Sequence, residues 1–267
     1  MNRRGHSSIL TLAALAGLLS AAGGAGAAQC GNGAGGFEAW KREFSAEARG
    51  RGVGAAGVAA IQGANYSTAT ISADRGQKSF RLSLEQFLAK RGGPVIVARG
   101  RGLKQSQAAL FSSIQQRYGV PPGPLLAIWG METGFGAIHG SQNAFSAVAT
   151  LAYDCRRSAY FTDQLYAALT LIDRGVLSAN ARGSMHGEIG QTQFLPKNIL
   201  AYGTGNLDNS ADALNSTANF LKAHGWRAGG GYQPGESNFG AIQAWNAAQV
   251  YQRAIALLGQ QIDGGGR

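Results

Sequence analysis

Apolar residues in this chain recur mostly every three to four positions, the spacing that lines one face of a helix. Phe37, Trp40, Phe44 and Ala48 make the first such stripe, with charges between them. A small-residue apolar stretch over 53–61 predicts a second, closely packed helix. Residues 66–80 are polar and β-branched and read as an extended connection with no assignable function. Ser83 and Gln86 make a capping-box pattern ahead of Leu84, Phe87 and Leu88, and Gly92-Gly93-Pro94 ends that helix. A longer helix is expected over 103–118, stopped by Gly119 and Pro121-Pro122. Further helices are predicted at 125–132, 144–152, 161–173 and 212–224, with one continuous helix over 239–262. Strand-like alternation is scarce and no repeat is visible. The expected architecture is a mostly α, single domain over 37–262, after a glycine-rich lead (29–36) and before a short tail (263–267).

Composition narrows the class. Hydrophobic residues make up 45% and charged residues 14%, which excludes a disordered tail or a coiled coil. The 41 glycines follow no triplet repeat, which excludes collagen. Residues 1–28 read as a secretory signal: Arg3 and Arg4, then an apolar core from Ile9 to Leu19 too short to span a bilayer, then an A-x-A site at Ala25-Gly26-Ala27 or one residue later. Gln29 before Cys30 argues against lipidation, and no other segment is apolar enough for a transmembrane anchor. The expected location is the periplasm, with membrane association left open.

Charge changes the picture further. The net charge of +10 falls by the two of Arg3 and Arg4 to +8, which suits a polyanionic partner such as cell-wall glycopeptide or anionic headgroups. Export, and the lack of a basic run interleaved with aromatics, argue against nucleic acid. Cys30 and Cys155 permit one disulfide in an oxidising compartment. Neither they nor the four histidines have a metal-ligand spacing, so no metal or cofactor is expected.

Candidate chemistry lies in two stretches. In Gly130-Met131-Glu132-Thr133-Gly134-Phe135-Gly136, Glu132 ends an apolar helix. Apolar neighbours and the negative helix terminus both favour its protonated form, the form that a general acid needs. Gly130, Gly134 and Gly136 leave room for a ligand backbone, and Trp129 and Phe135 offer flat faces for sugars. The second stretch runs from Gly183-Ser184 through Glu188 and Gln193 to Pro196.

These stretches, with Ala147 through Arg157 and Ala218-Asn219-Phe220 through His224-Gly225-Trp226, resemble the lytic murein transglycosylase B family over about 37–262. The resemblance implies a lysozyme-like helical transglycosylase domain with additional N-terminal helices. It implies Glu132 as the single catalytic acid, with Ser184, Gln193 and Asn246 lining the sugar cleft. Arg156 and Arg157 match a pair facing the peptide stem. The implied partners are peptidoglycan glycan strands and stem peptides, together with cell-wall synthesis or division proteins. The implied reaction cleaves the bond between N-acetylmuramic acid and N-acetylglucosamine without water and leaves 1,6-anhydro ends.

Two departures matter. Many members of that family carry an EF-hand-like calcium loop, but here residues 202–210 are too short and too poor in acids. Asp208 and Asp212 read as turn and helix-start residues instead. Glu188 is an added carboxylate near the cleft, and it reads as a rim or paired residue before a catalytic base. Two other readings stay open: a lysozyme-type hydrolase in which Glu188 activates water, and a non-catalytic wall-binding protein. For Arg156 and Arg157, solvated surface charge stands level with binding.

Overall fold

The computed structural model describes residues 28–76 and 82–264. The proposed signal segment, apart from Ala28, and the end of the tail lie outside them. Thirteen α-helices account for most of the described residues. A short 3-10 turn, Ala34–Gly36, leads into α1 (Phe37–Gly50), α2 (Ala55–Gly63) and α3 (Thr68–Arg75). Then come α4 (Leu84–Arg91), α5 (Gly93–Ser106), α6 (Ala108–Tyr118) and α7 (Pro122–Thr133). Next are α8 (Ala144–Tyr153), α9 (Ser158–Asp173), α10 (Pro196–Tyr202) and α11 (Ser210–Ala223). The last two are α12 (Phe239–Trp245) and α13 (Gln249–Asp263). The only sheet among the described residues pairs Gln142–Asn143 antiparallel with Arg182–Gly183.

Two hydrophobic clusters hold these helices. One lies under α1, α2, α8 and α9 and includes Phe37, Trp40, Phe44, Val148, Leu151 and Leu165. The other surrounds α7 and draws on α5, α6, α11, α12 and α13, with Leu125, Leu126, Ile128 and Ile255 at its centre. Helix α7 is buried almost all round, which explains its nearly unbroken apolar run. Its closest neighbour is α13. A side chain at Gly123 would collide with the Gly259 carbonyl, so glycine lets the two backbones touch. Asp263, at the far end of α13, accepts a 2.9 Å hydrogen bond from the Gly123 amide at the start of α7. The two helices therefore run antiparallel, and the start of α13 lies against the end of α7, where Glu132 sits.

Three expectations need correction. Residues 66–76 do not form an extended connection, because 68–75 are helical; the remainder of that expected stretch, 77–80, lies outside the described residues. Ser67 caps α3 by accepting from the Thr70 amide at 3.1 Å, and Thr70 and Asp74 are buried. A cap is worth about 1 kcal/mol and outweighs the few tenths lost at each β-branched residue. The helix expected over 103–118 is divided at Gln107 into α5 and α6. Helix α5 packs on α7 and α13 while α6 packs on α11, and one straight rod cannot reach both. The continuous helix over 239–262 also breaks. Asn246 is extended, and its Oδ1 accepts from the Ala248 amide at 2.9 Å, which starts α13 in a new direction.

Candidate active site

Glu132 lies one residue from the end of α7, where Gly134 takes the left-handed conformation that closes the helix. The side chain is partly exposed, but its carboxyl is largely desolvated by the protein around it. Tyr251 of α13 donates to Glu132 Oε1 at 2.6 Å, and Trp245 Nε1 of α12 approaches the same oxygen at 3.4 Å. Burial pushes the Glu132 pKa up to about 7, helped by the negative charge of Glu188. The Tyr251 and Trp245 hydrogen bonds and the Arg91 charge oppose this but do not cancel it. Arg91 is fixed nearby by donating to the Met131 carbonyl at 2.8 Å. The result is a carboxyl that holds its proton near neutrality yet is braced to carry charge once it ionises.

The second stretch folds as two linked tight turns. Ser184 Oγ donates to Glu188 Oε2 at 2.8 Å and accepts from the His186 and Glu188 amides, both at 3.1 Å. Ile189 and Phe194 exchange two 2.9 Å backbone hydrogen bonds around the next turn. Within that turn Gln193 adopts φ 56°, a left-handed conformation that is rare outside glycine, and its Nε2 donates to the Gly190 carbonyl at 2.7 Å. Gln193 also lines a cavity of about 400 Å³ with His139, Arg182 and Asp208. A larger apolar groove between α4, α5 and α13 holds none of the candidate residues.

Arg156 and Arg157 follow α8 and share one partner. Arg157 Nη1 lies 2.8 Å from Asp74 Oδ1, and Arg156 Nη2 contacts Asp74 Oδ2. They are therefore paired rather than merely solvated charges. Next to them Cys30 and Cys155 are joined in a disulfide with a Cα–Cα distance of 5.0 Å. Asn246 supplies the turn that presents Trp245 and Tyr251 to Glu132. Its amide Oδ1 is occupied by Ala248, which leaves the amide N–H groups to donate.

Two expectations about the glutamate's surroundings are overturned. Trp129 and Phe135 are core residues, 4% and 7% exposed, and cannot stack sugars. Trp129 Nε1 instead donates to Gln191 Oε1 at 2.8 Å. Side chains at Gly130 and Gly136 would strike Ile96 and Gln191, so these glycines admit protein rather than ligand. Asp212 lies in the first turn of α11, where Oδ2 accepts from the Asn206 amide at 3.0 Å, and Asn209 caps the helix. Among the described residues no group of three or more His, Cys, Asp and Glu side chains is arranged to hold a metal. No described helix is long and apolar enough to cross a membrane.

Sequence reasoning missed Tyr251, Trp245, Arg91 and Asp74. Trp245 stands beside Asn246 and could have been weighed with it. Tyr251 occupies an ordinary apolar position of α13, and nothing in the sequence marks it. Its removal has a readable consequence. Tyr251→Phe takes away a hydrogen bond that favours the ionised carboxylate, so the Glu132 pKa should rise. In a pH–rate profile the alkaline limb, where the acid loses its proton, should move upward by about one unit. An unmoved limb would mean that the bond does not tune Glu132.

Against known proteins, residues of this chain are 38% identical over 123 positions to membrane-bound lytic murein transglycosylase B of Escherichia coli strain K12, covering 43% of this chain. The match spans only 34% of that relative's length. SltB3 of Pseudomonas aeruginosa, solved with NAG-anhNAM-pentapeptide, superposes with a TM-score of 0.78 at 28% identity, covering 86% of this chain and 80% of SltB3. The Escherichia coli lytic transglycosylase Slt35, solved with calcium, superposes with a TM-score of 0.74 at 21% identity over 88% of this chain and 96% of its own, which shows a common fold. The helical fold around the buried carboxyl is thus a transglycosylase fold, lysozyme-like in class. The family model for the transglycosylase SLT domain matches residues 36–234, and this chain belongs to that family.

Proposed function

We propose that this protein is a lytic transglycosylase of peptidoglycan, a carbon–oxygen lyase that cleaves the β-1,4 bond from N-acetylmuramic acid to N-acetylglucosamine. The observation that carries the reading is one carboxyl, Glu132, held protonated near pH 7 by its apolar surroundings while Tyr251 and Trp245 fix its orientation. Family membership supports it, as does the pentapeptide-bearing sugar ligand of SltB3. The assignment places action in the periplasm after export and cleavage behind Ala27 or Ala28.

Glu132 first donates its proton to the glycosidic oxygen, and the bond to the anomeric carbon breaks. The substrate's own N-acetyl oxygen supports the positive charge developing there. Glu132, now ionised, is stabilised by the Tyr251 hydroxyl and the Arg91 charge. It then takes the proton of the sugar's 6-hydroxyl as that oxygen closes on the anomeric carbon. The 1,6-anhydro ring forms, the acid is restored and no water is consumed. A two-carboxylate glycosidase would need a second acid as nucleophile or base. Glu188 accepts from the Ser184 hydroxyl, which two backbone amides in turn hold in place, and this suits a structural and electrostatic role. Gln193 and the amide of Asn246 are assigned to hold the sugars, Ser184, its hydroxyl engaged by Glu188 and two amides, to shape the cleft turn beside them, and Arg156 and Arg157 to meet carboxylates of the stem.

Digestion of purified sacculi in heavy-oxygen water tests this reading. The nascent muramic ends should be lighter than reducing ends by one water and should carry no solvent oxygen at the anomeric carbon. Heavy oxygen there, together with loss of activity in Glu188→Gln, would replace the reading with hydrolysis.

A further inference from the structure

Helix α3 looked like a featureless linker in the sequence, yet it carries an unusual carboxylate. Asp74 has a side chain only 2% exposed, and it faces two arginines whose side chains are 47% and 37% exposed. A buried carboxylate beneath two accessible guanidinium groups is a built arrangement, because a lone buried acid would be costly. A second pair crosses the first: Arg75, the next residue of α3, binds Asp154 at 2.8 Å, and Asp154 Oδ1 also accepts from the Arg156 amide at 3.0 Å. The Cys30–Cys155 bridge and the Gly31–Asp154 backbone pairing hold the same turn from the other side. His186 Nε2 approaches Asp74 Oδ1 at 4.0 Å, which links this cluster to the Ser184–Glu188 turn.

We propose that Asp74 is the positioning residue of an anion subsite, holding Arg156 and Arg157 side by side so that their remaining N–H groups meet a carboxylate of the glycan's peptide stem. This rests on the reading of the arginine pair given under Proposed function. Two guanidinium groups this close repel each other; Arg157 is also stacked over Phe161 and Tyr160, and the shared carboxylate is what draws Arg156 in beside it. Asp74 engages one nitrogen of each group, and the two partly exposed guanidinium groups keep further N–H groups to offer. One negative and two positive charges leave the cluster with one positive charge to offer. Burial keeps His186 on the neutral side and so preserves that balance. The subsite thereby distinguishes a glycan that bears stems from a stripped one at a point away from the bond that breaks. Asp74 touches no substrate and acts through the pair.

The test compares wild type, Asp74→Asn, Arg156→Gln/Arg157→Gln and the triple variant on stem-bearing glycan and on glycan stripped of stems by an amidase. Asp74→Asn should raise KM for stem-bearing glycan by about tenfold, with kcat nearly unchanged and the stripped glycan unaffected. In the double-arginine background the same substitution should add nothing, because its effect passes through the pair. Asp74→Glu keeps the charge but shifts the pair outward. It should fall between wild type and Asp74→Asn on stem-bearing glycan alone, and it provides the test if Asp74→Asn does not fold. Equal losses on both glycans, alongside a lowered Tm, would reduce Asp74 to a structural brace and overturn the inference. If the arginine variants lose stem preference while Asp74→Asn and Asp74→Glu keep it, the inference fails but the reading of the pair stands. If the double-arginine variant shows no change in stem preference, both fall.

Discussion

Glu132→Gln should lower turnover by at least about a thousandfold while making the protein more stable at pH 8. Glutamine keeps the shape and can still accept from Tyr251, but it has no proton to deliver. The stability effect follows from the raised pKa. The folded protein binds this proton more tightly than the unfolded chain, whose glutamate titrates near 4.5, against about 7 in the fold. Stability is therefore fully present below about pH 4.5, declines as pH rises toward 7 and stays reduced above it. The cost of the ionised carboxylate is about 3 kcal/mol, from about 1.4 kcal/mol for each pKa unit. Glutamine escapes it. Denaturant melts should show the variant stabilised at pH 8 and matching wild type at pH 4. Near wild-type turnover would remove Glu132 from the mechanism, and equal stability at both pH values would remove the raised pKa. In wild type, activity should fall about tenfold per pH unit above 7 as the acid form disappears.

Loss of the disulfide should be the largest stability effect of any single bond. Cys30 and Cys155 are 125 residues apart, so the bridge closes a long loop in the unfolded chain. Loop-closure entropy puts its removal at about 4–5 kcal/mol, or roughly 10 °C in Tm for a chain of this size. Cys30→Ser/Cys155→Ser, melted beside the oxidised wild type, measures it. A loss below about 1 kcal/mol would mean that the N-terminal lead simply detaches without loosening the rest. The double variant also reports on the site, because the same turn holds Asp154 and Arg156. Weaker binding of stem-bearing glycan is expected along with the lower Tm.

Much of this protein was legible without coordinates because the signals are local. Helical spacing located α1, α4, α8, α9 and α11, and the Ser83–Gln86 capping box sits where local chemistry puts it. The position of Glu132, after an apolar run and before a glycine break, already implied a protonated acid at a helix end. What local signals cannot supply is direction. Whether 103–118 is one helix or part of two depends on which neighbours each half must reach, and Gln107 itself carries no mark of the break. The linker-like residues of α3 became a helix through a cap and through burial against partners about 80 residues away in sequence. Trp129 and Phe135 have the composition of a sugar platform, yet packing turned them inward. Above all, the partners of the acid come from across the chain. Tyr251 reaches Glu132 only because Gly123, Gly259 and Asp263 set α7 and α13 antiparallel and in contact. The sequence alone pointed to Glu132 as the candidate acid, since its identity and local surroundings are written within a few residues. Only the tertiary structure chose the hydroxyl and the indole that meet Glu132, and the buried carboxylate that pairs Arg156 and Arg157, because these meetings depend on packing that joins residues more than 80 positions apart.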